Sequence, residues 1–166
     1  MLEDKIIKDI VQSQYYASLE MLRQAVELCP EPLWTDPTYK NPFWHVVFHA
    51  LFYTYLYLHP REEDHVRWEK DRKGYHRLSG DEAKEISPYS KKDMLEFVEF
   101  CQQQVMDQVD ALDFAADSGF HWLPFNKLEL QFYNIRHIMQ HTGELCERLG
   151  AHGEVEVPWV GMKPGR

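Results

Sequence analysis

Positive charge is scarce in this sequence. Its 18 lysines and arginines stand against 27 aspartates and glutamates, which gives a formal net charge of −9. Such an excess of acid repels nucleic-acid phosphates, and no basic run with interleaved aromatics offsets it locally. The most charged segment, residues 61–73, has equal numbers of acidic and basic side chains. The composition therefore argues against nucleic-acid binding.

Cysteine is also sparse, and long apolar runs are missing. The three cysteines, Cys29, Cys101 and Cys146, are odd in number and include no CxxC pair. The N-terminal sequence MLEDKIIKDIV lacks the apolar run and cleavage site of a signal peptide. The longest apolar stretch, 43–58, contains two histidines and is too short to cross a bilayer comfortably. We expect reduced thiols, no membrane span and a cytoplasmic location.

Several catalytic motifs are absent as well. There is no glycine-rich phosphate loop, no Gly-x-Ser-x-Gly elbow and no cysteine-based zinc knuckle. A zincin needs glutamate after the first histidine of its helical pair, but Ile138 follows His137 here. A di-iron bundle needs two inward Glu-x-x-His pairs, and the one such spacing, Glu62/His65, lies in the charged segment. Both metal templates are set aside.

Helical periodicity, in contrast, is plentiful, and no segment shows convincing strand alternation. Four helices are predicted, at about 4–28, from Pro42 to before His59, from Ser90 to about Leu112, and at about 126–149. SKKD at Ser90 resembles a capping box, and Gly150 suits a left-handed cap of the fourth helix. The first helix is expected to bury the stripe Ile7, Ile10, Gln14, Ala17, Met21, Ala25 and Leu28.

These segments predict an all-α protein of the four-helix-bundle type. We expect one domain over residues 1–150, followed by an extended, proline-bearing tail over 151–166 that contains Trp159. Roughly thirty residues separate the second and third helices, far more than an antiparallel hairpin of helices needs. A connection of that length can carry the chain back across the bundle, so the two helices can run parallel.

Histidine is concentrated in two His-x-x-x-His pairs. His45/His49 lies in the second helix and His137/His141 in the fourth. A spacing of four puts both imidazoles on one helix face, where they can share a metal ion, and a facing helix can supply a third ligand. Such a pair is more often hydrogen-bonded core than metal site. The pair of the fourth helix, however, shares its stripe with Leu130 and should point inward.

The same residues resemble the DinB family. The resemblance covers the chain from the first helix through Gly150. It rests on His49, which closes the tryptophan-containing sequence WHVVFH, and above all on a set in the fourth helix: Asn134, His137, His141, Gly143, Glu144 and Leu145. It implies an up-down-down-up bundle, often paired as a homodimer. It also implies a divalent metal ion, Zn²⁺ or Ni²⁺, held by His49, His137 and His141.

The resemblance further implies a metal-dependent enzyme with a small-molecule substrate. Characterised relatives are transferases and isomerases that use a low-molecular-weight thiol such as bacillithiol, mycothiol or glutathione; hydrolysis is a second possibility. A non-catalytic metal-binding or interaction bundle is the alternative. His45 has no counterpart as ligand in the family, so it is a substrate-facing residue, a supporting residue or a fourth ligand. No general base is evident, and Glu144 is either a partner of His141 or an exposed acid.

Two further expectations concern apolar surfaces. Aromatic side chains of the second helix, Phe48, Phe52, Tyr53 and Tyr55, either line an apolar pocket above the metal or form ordinary core. The fourth helix carries a second apolar stripe: Leu128, Phe132, Ile135, Met139, Cys146 and Leu149. A helix that is apolar on two faces must bury both, so a symmetric homodimer is predicted.

Overall fold

The regular structure is helical throughout the residues that the computed structural model describes, which are 2–78, 86–153 and 155–165. The helices are α1 (Leu2–Leu28), α2 (Glu31–Trp34), α3 (Phe43–Leu56), α4 (Lys91–Val109) and α5 (Lys127–Gly153), with a short 3₁₀ turn at Glu62–Asp64. Within those ranges no strand occurs beyond one isolated bridge between Asp117 and Asn126. The all-α class predicted from the sequence is confirmed. Residues 1, 79–85, 154 and 166 of the predicted domain and tail lie outside the described ranges.

The four long helices pack around one core. α1 contacts α4 and α5, and α3 contacts the same two helices. α3 is buried on nearly all sides, with eleven of its fourteen residues inaccessible, as expected for a helix without a polar face. No helix in the described part of the chain is long and apolar enough to span a membrane. Cys29 and Cys101 are buried, Cys146 is half-buried, and all three are free thiols.

The start of α4 is the predicted capping box. The Ser90 hydroxyl accepts a hydrogen bond from the Asp93 backbone N–H at 3.0 Å, and the Asp93 carboxylate accepts one from the Ser90 backbone N–H at 3.3 Å. These two contacts satisfy amide donors that have no partner inside the helix. Aspartate in place of the usual glutamate at this position therefore keeps the capping box intact.

The predicted face of α1 was wrong in part. Ile10, Gln14 and Leu28 are exposed, and the buried face is instead formed by Val11, Tyr15, Leu19, Leu22 and Val26. The two stripes lie about a quarter of a turn apart at 100° per residue. The larger side chains lie on the second stripe, so turning it inward removes more apolar surface from water.

The predicted end of α5 at Gly150 was also wrong. The helix continues through residue 150 to Gly153, and the glycines with positive φ among the described residues are Gly74, Gly119 and Gly165. Ala151 and His152 continue the helix without strain, so the chain has no need of a left-handed residue at position 150.

Lys127, at the start of α5, ties together the loops at one end of the bundle. Its ammonium group is 2% exposed and donates hydrogen bonds to the carbonyls of His59 (3.1 Å), Pro60 (2.8 Å) and Ser118. Burial lowers the pKa of Lys127 to about 8. In the same contact Gly119 has φ +84°, and a β-carbon there would lie 2.0 Å from the Pro60 oxygen. These constraints fix the loop that carries Trp122.

Residues 155–165 form no helix or strand and lie along α1, whereas residues 151–153, predicted to belong to the tail, are the last residues of α5. The backbone N–H of Lys163 donates to the Ser13 hydroxyl at 3.1 Å, and the Gln14 side chain donates to the Gly161 carbonyl at 3.3 Å. Trp159 does not pack on the bundle, because 78% of its surface is exposed.

Replacing Gly150 by alanine should stabilise the protein. The residue is exposed and helical, and an added β-carbon meets nothing within 4 Å. Alanine gains about 0.5–1 kcal/mol over glycine in a helix interior. Urea denaturation of Gly150→Ala should therefore give a higher midpoint than the parent, with an unchanged slope. A lower midpoint would indicate the left-handed cap instead.

Candidate metal centre

Three histidines from two helices meet between α3 and α5. His49 lies in the middle of α3, and His137 and His141 lie one turn apart on α5. One ring nitrogen of each lies within 4.8 Å of a ring nitrogen of each of the others. The ring centroid of His49 lies 5.0 Å from that of His137 and 4.7 Å from that of His141. All three predicted site residues are thus brought together.

The separation of two of the donor atoms fits a small divalent ion, and the His141 donor lies within 4.8 Å of both. The Nε2 atoms of His49 and His137 are 3.1 Å apart. Two imidazole nitrogens bound at about 2.0–2.1 Å in a tetrahedral arrangement lie about 3.3 Å apart, so little movement is needed to accommodate Zn²⁺. Three neutral imidazoles are also donors that suit zinc, nickel and copper ions.

Hydrogen bonds on the far side of two rings orient their donor atoms. His49 Nδ1 lies 2.6 Å from the carbonyl oxygen of His76, so this nitrogen carries the proton and Nε2 keeps its lone pair. His141 Nδ1 lies 3.4 Å from the Glu144 carboxylate, which is also paired with Arg148. Contacts of this kind fix the tautomer and rotation of a metal-binding imidazole. Glu144 is therefore a partner of His141 and makes no contact suited to a general base.

The environment keeps His49 and His137 uncharged at neutral pH. Burial, followed by the nearby charge of His141, lowers the pKa of His137 to about 3. Burial also lowers the pKa of His49 to about 4, against the opposing effect of its hydrogen bond to His76. Nδ1 of His137 is buried and has no hydrogen-bond partner among the described residues. Neutral imidazole is the form that binds metal.

His45 does not join the three-histidine group. It lies one turn before His49, stacks on Trp44 at a centroid distance of 4.9 Å, and bonds through Nε2 to the Tyr75 carbonyl at 2.7 Å. His76, the residue after Tyr75, supplies the carbonyl that orients His49. His45 thus holds the segment on which a ligand depends. This is the supporting role, one of the three that the sequence left open, although the backbone carbonyl to which His45 bonds leaves no mark in a residue pattern.

An aromatic cavity of about 270 Å³ opens directly onto the centre. Its lining consists of His49, Tyr53, Tyr57, Trp122, Tyr133 and His137. Of the four aromatics for which the sequence left pocket lining or ordinary core open, Tyr53 lines this cavity and the other three do not. Phe48 is fully buried core, Phe52 stacks on His76 at 4.3 Å, and Tyr55 packs against Phe100.

Two of the missed cavity residues follow helical spacing. Tyr57 lies four residues after Tyr53, at the end of α3, and Tyr133 lies four residues before His137 on α5. Reading the histidine stripe one turn further would have found both. Trp122 lies in the loop before α5, and nothing in its local sequence indicates that it reaches the site.

Asn134 and Gly143, two residues of the DinB-like pattern, differ in what they do here. Asn134 is fully buried and donates to the Tyr15 hydroxyl at 2.9 Å and the Thr54 carbonyl at 3.0 Å. It therefore locks α5 against α1 and α3 beside the histidines. Gly143 has open space around it, since an added β-carbon meets nothing within 4 Å. Nothing in the structure requires glycine at that position.

Comparisons with known proteins identify no relative: no family model, no curated protein and no solved structure matches the chain. The resemblance to the DinB family therefore rests on the residues of α3 and α5 described above.

Substitution of the ligands should separate their contributions. Replacing His137 or His141 by alanine should abolish stoichiometric metal binding, and replacing His49 should weaken it severely, because each removes one of three donors. His45→Ala should weaken affinity only about tenfold, the usual scale for a residue that supports a ligand. Metal content after gel filtration, measured by mass spectrometry, tests this order. Equal loss in all four variants would indicate a four-histidine site.

The stability of the metal-free protein should fall in mild acid. The native pKa values of His49 and His137, about 4 and 3, lie below the usual 6.5. The unfolded chain therefore takes up protons first as the pH drops below 6.5, and stability is lost progressively from there towards pH 4. Urea midpoints at several pH values in the presence of a chelator measure this loss. The double variant His49→Gln/His137→Gln should depend less on pH; equal dependence would contradict the assignment.

Proposed function

We propose that this chain is a DinB-like metal-dependent enzyme that holds one divalent ion, Zn²⁺ or Ni²⁺, with His49, His137 and His141. The observation that carries the proposal is the convergence of three imidazole nitrogens at the wall of an open cavity. The −9 charge of the chain fits a small-molecule substrate better than a nucleic acid.

The ion would supply Lewis acidity and stabilise a bound thiolate or hydroxide at neutral pH. The protein's own side chains would bind and orient the substrate. Tyr53 lines the cavity, and its hydroxyl forms no hydrogen bond with any residue that the structure describes. Burial raises the pKa of Tyr53, so the group stays protonated and can donate to a substrate oxygen or sulfur. The carbonyl of His76 keeps the His49 lone pair directed inward.

The reaction class follows from the resemblance. We propose transfer to or from a low-molecular-weight thiol of the bacillithiol, mycothiol or glutathione type, with hydrolysis as a second possibility. The same proposal includes an up-down-down-up order of the long helices and a cytoplasmic location. It also includes the long connection after α3 as a family feature.

A symmetric homodimer also stays a prediction. On the second apolar stripe of α5, Phe132 is 59% exposed and available for a partner. Leu149, at the other end of that stripe, is fully buried in the core of its own chain. The surface left for a second copy is therefore smaller than the sequence suggested.

One observation favours a non-catalytic alternative. The 3.1 Å separation between the Nε2 atoms of His49 and His137 also suits a hydrogen bond between two neutral imidazoles, which needs no metal. A metal-free interaction bundle would then use the histidines as satisfied core residues.

Metal removal separates the two functions. Protein purified without a His-tag should contain about one divalent ion per chain, and a chelator should remove both the ion and any thiol-dependent turnover. The helical signal in circular dichroism should persist, because the core packed by α1, α3, α4 and α5 does not depend on the centre. Activity should fall below about pH 6 in step with metal loss. Full metal loading with no turnover across thiols and electrophiles would favour the non-catalytic bundle.

A further inference from the structure

We infer that the aromatic cavity selects a compact, flat apolar molecule that bears a single anionic group, such as an arylalkyl carboxylate or thiolate. This inference rests on the proposed metal centre and adds the substrate class. It is carried by the shape of the walls, the placement of charge around them and the volume that they enclose.

The walls of the cavity are rings in mutual contact. Tyr53 and Tyr57 lie 5.6 Å apart, and Tyr57 meets Tyr133 edge to face at 5.8 Å. Trp122 reaches over from the loop before α5, held in place by Phe120 at 5.5 Å. Both tyrosines of α3 are half-buried or buried, so their rings offer rigid apolar surface to a ligand. A flat molecule gains stacking and edge contacts from such walls.

The charged side chains near the cavity are mainly positive. No carboxylate lines it, although the chain as a whole has nine more acidic than basic residues. Arg136 lies over the ring of Tyr133 at 5.5 Å, and Arg77 is close enough to Tyr53 to lower its pKa, against the larger effect of burial. Glu144, the acid in contact with the centre, is already paired with Arg148. A divalent ion would add to this positive field, so an anion is favoured.

A cation is the obvious competitor, because cages of tyrosine and tryptophan commonly hold quaternary ammonium groups. Cages of that kind need surroundings that are neutral or negative. Here Arg136 already lies over one wall ring, and His49 and His137, two of the three imidazoles that would hold the ion, line the cavity. Cationic ligands are therefore disfavoured by the same field that attracts anions.

The volume limits the size of the ligand. At about 270 Å³ the cavity lies just below the range of about 300–1,000 Å³ that accommodates drug-sized molecules. One ring with a short arm fills it. The hydroxyl of Tyr53, free of other hydrogen bonds to the described residues, is placed to donate to the anionic group.

Calorimetric titration of the zinc-loaded protein with four probes tests the inference. Phenylacetate carries a ring and an anionic group, and benzyl mercaptan carries a ring and a thiol that the bound ion would deprotonate. Acetate lacks the ring, and benzyltrimethylammonium reverses the charge. Phenylacetate should bind about tenfold more tightly than acetate, the gain expected from burying one ring against aromatic walls, and benzyl mercaptan should bind as well. The ammonium compound should not bind. Equal binding of acetate and phenylacetate, or binding of the ammonium compound, would overturn the inference.

Variants locate the binding. Trp122→Ala and Tyr133→Ala should weaken phenylacetate binding about fivefold or more while one zinc per chain is retained. Trp159→Ala and Phe132→Ala are the matched controls, since both remove exposed aromatics outside the cavity lining, and should leave affinity unchanged. Zinc stoichiometry is measured first: failure to bind zinc refutes the proposed function and this inference with it. Normal zinc binding with no effect of Trp122→Ala and Tyr133→Ala refutes the substrate class alone.

Discussion

The packing of α3 against α5 is the constraint on which the site depends. α3 has almost no polar face, so it must lie inside the bundle, and its rotation is fixed by core contacts on every side. α5 is held against it by Asn134, which bonds to the Thr54 carbonyl of α3 and to the Tyr15 hydroxyl of α1. Once the two helices are set in this way, His49 can only face His137 and His141. The geometry of the centre is therefore a consequence of apolar burial and one buried amide.

Burying imidazoles costs stability unless their nitrogens find partners. Two partners come from outside α3: the carbonyls of Tyr75 and His76, which bond to His45 and His49. Two other buried polar atoms on this side of the molecule, His137 Nδ1 and His76 Nδ1, have no hydrogen-bond partner among the described residues. Proteins tolerate such groups mainly where function requires them. Both lie between α3, the following segment and α5, beside the centre for which we propose a function.

The features that could be predicted from the sequence are those that depend on the spacing of nearby residues. The positions of the long helices, the Ser90 cap and the histidine spacing on α5 follow from periods of three and four residues, which a helix converts directly into one face. The rotation of α1 was missed because its sequence carries two apolar stripes, and only tertiary packing decides between them. The roles of Trp122 and the His76 carbonyl depend on contacts between distant segments. No local pattern encodes these contacts.

The shape of the centre bears on whether a metal there would be structural or chemical. Structural zinc sites are closed by four protein ligands, whereas catalytic sites keep a position open. Here the described residues supply three clustered donors, and His45, the nearest candidate for a fourth, is engaged with the Tyr75 carbonyl. The side left free of protein ligands is the aromatic cavity that His49 and His137 help to line. A fold that needed the ion only for stability would gain from filling that space with a fourth ligand or with apolar side chains. An open cavity bounded by rings is instead what binding a second molecule beside the ion requires.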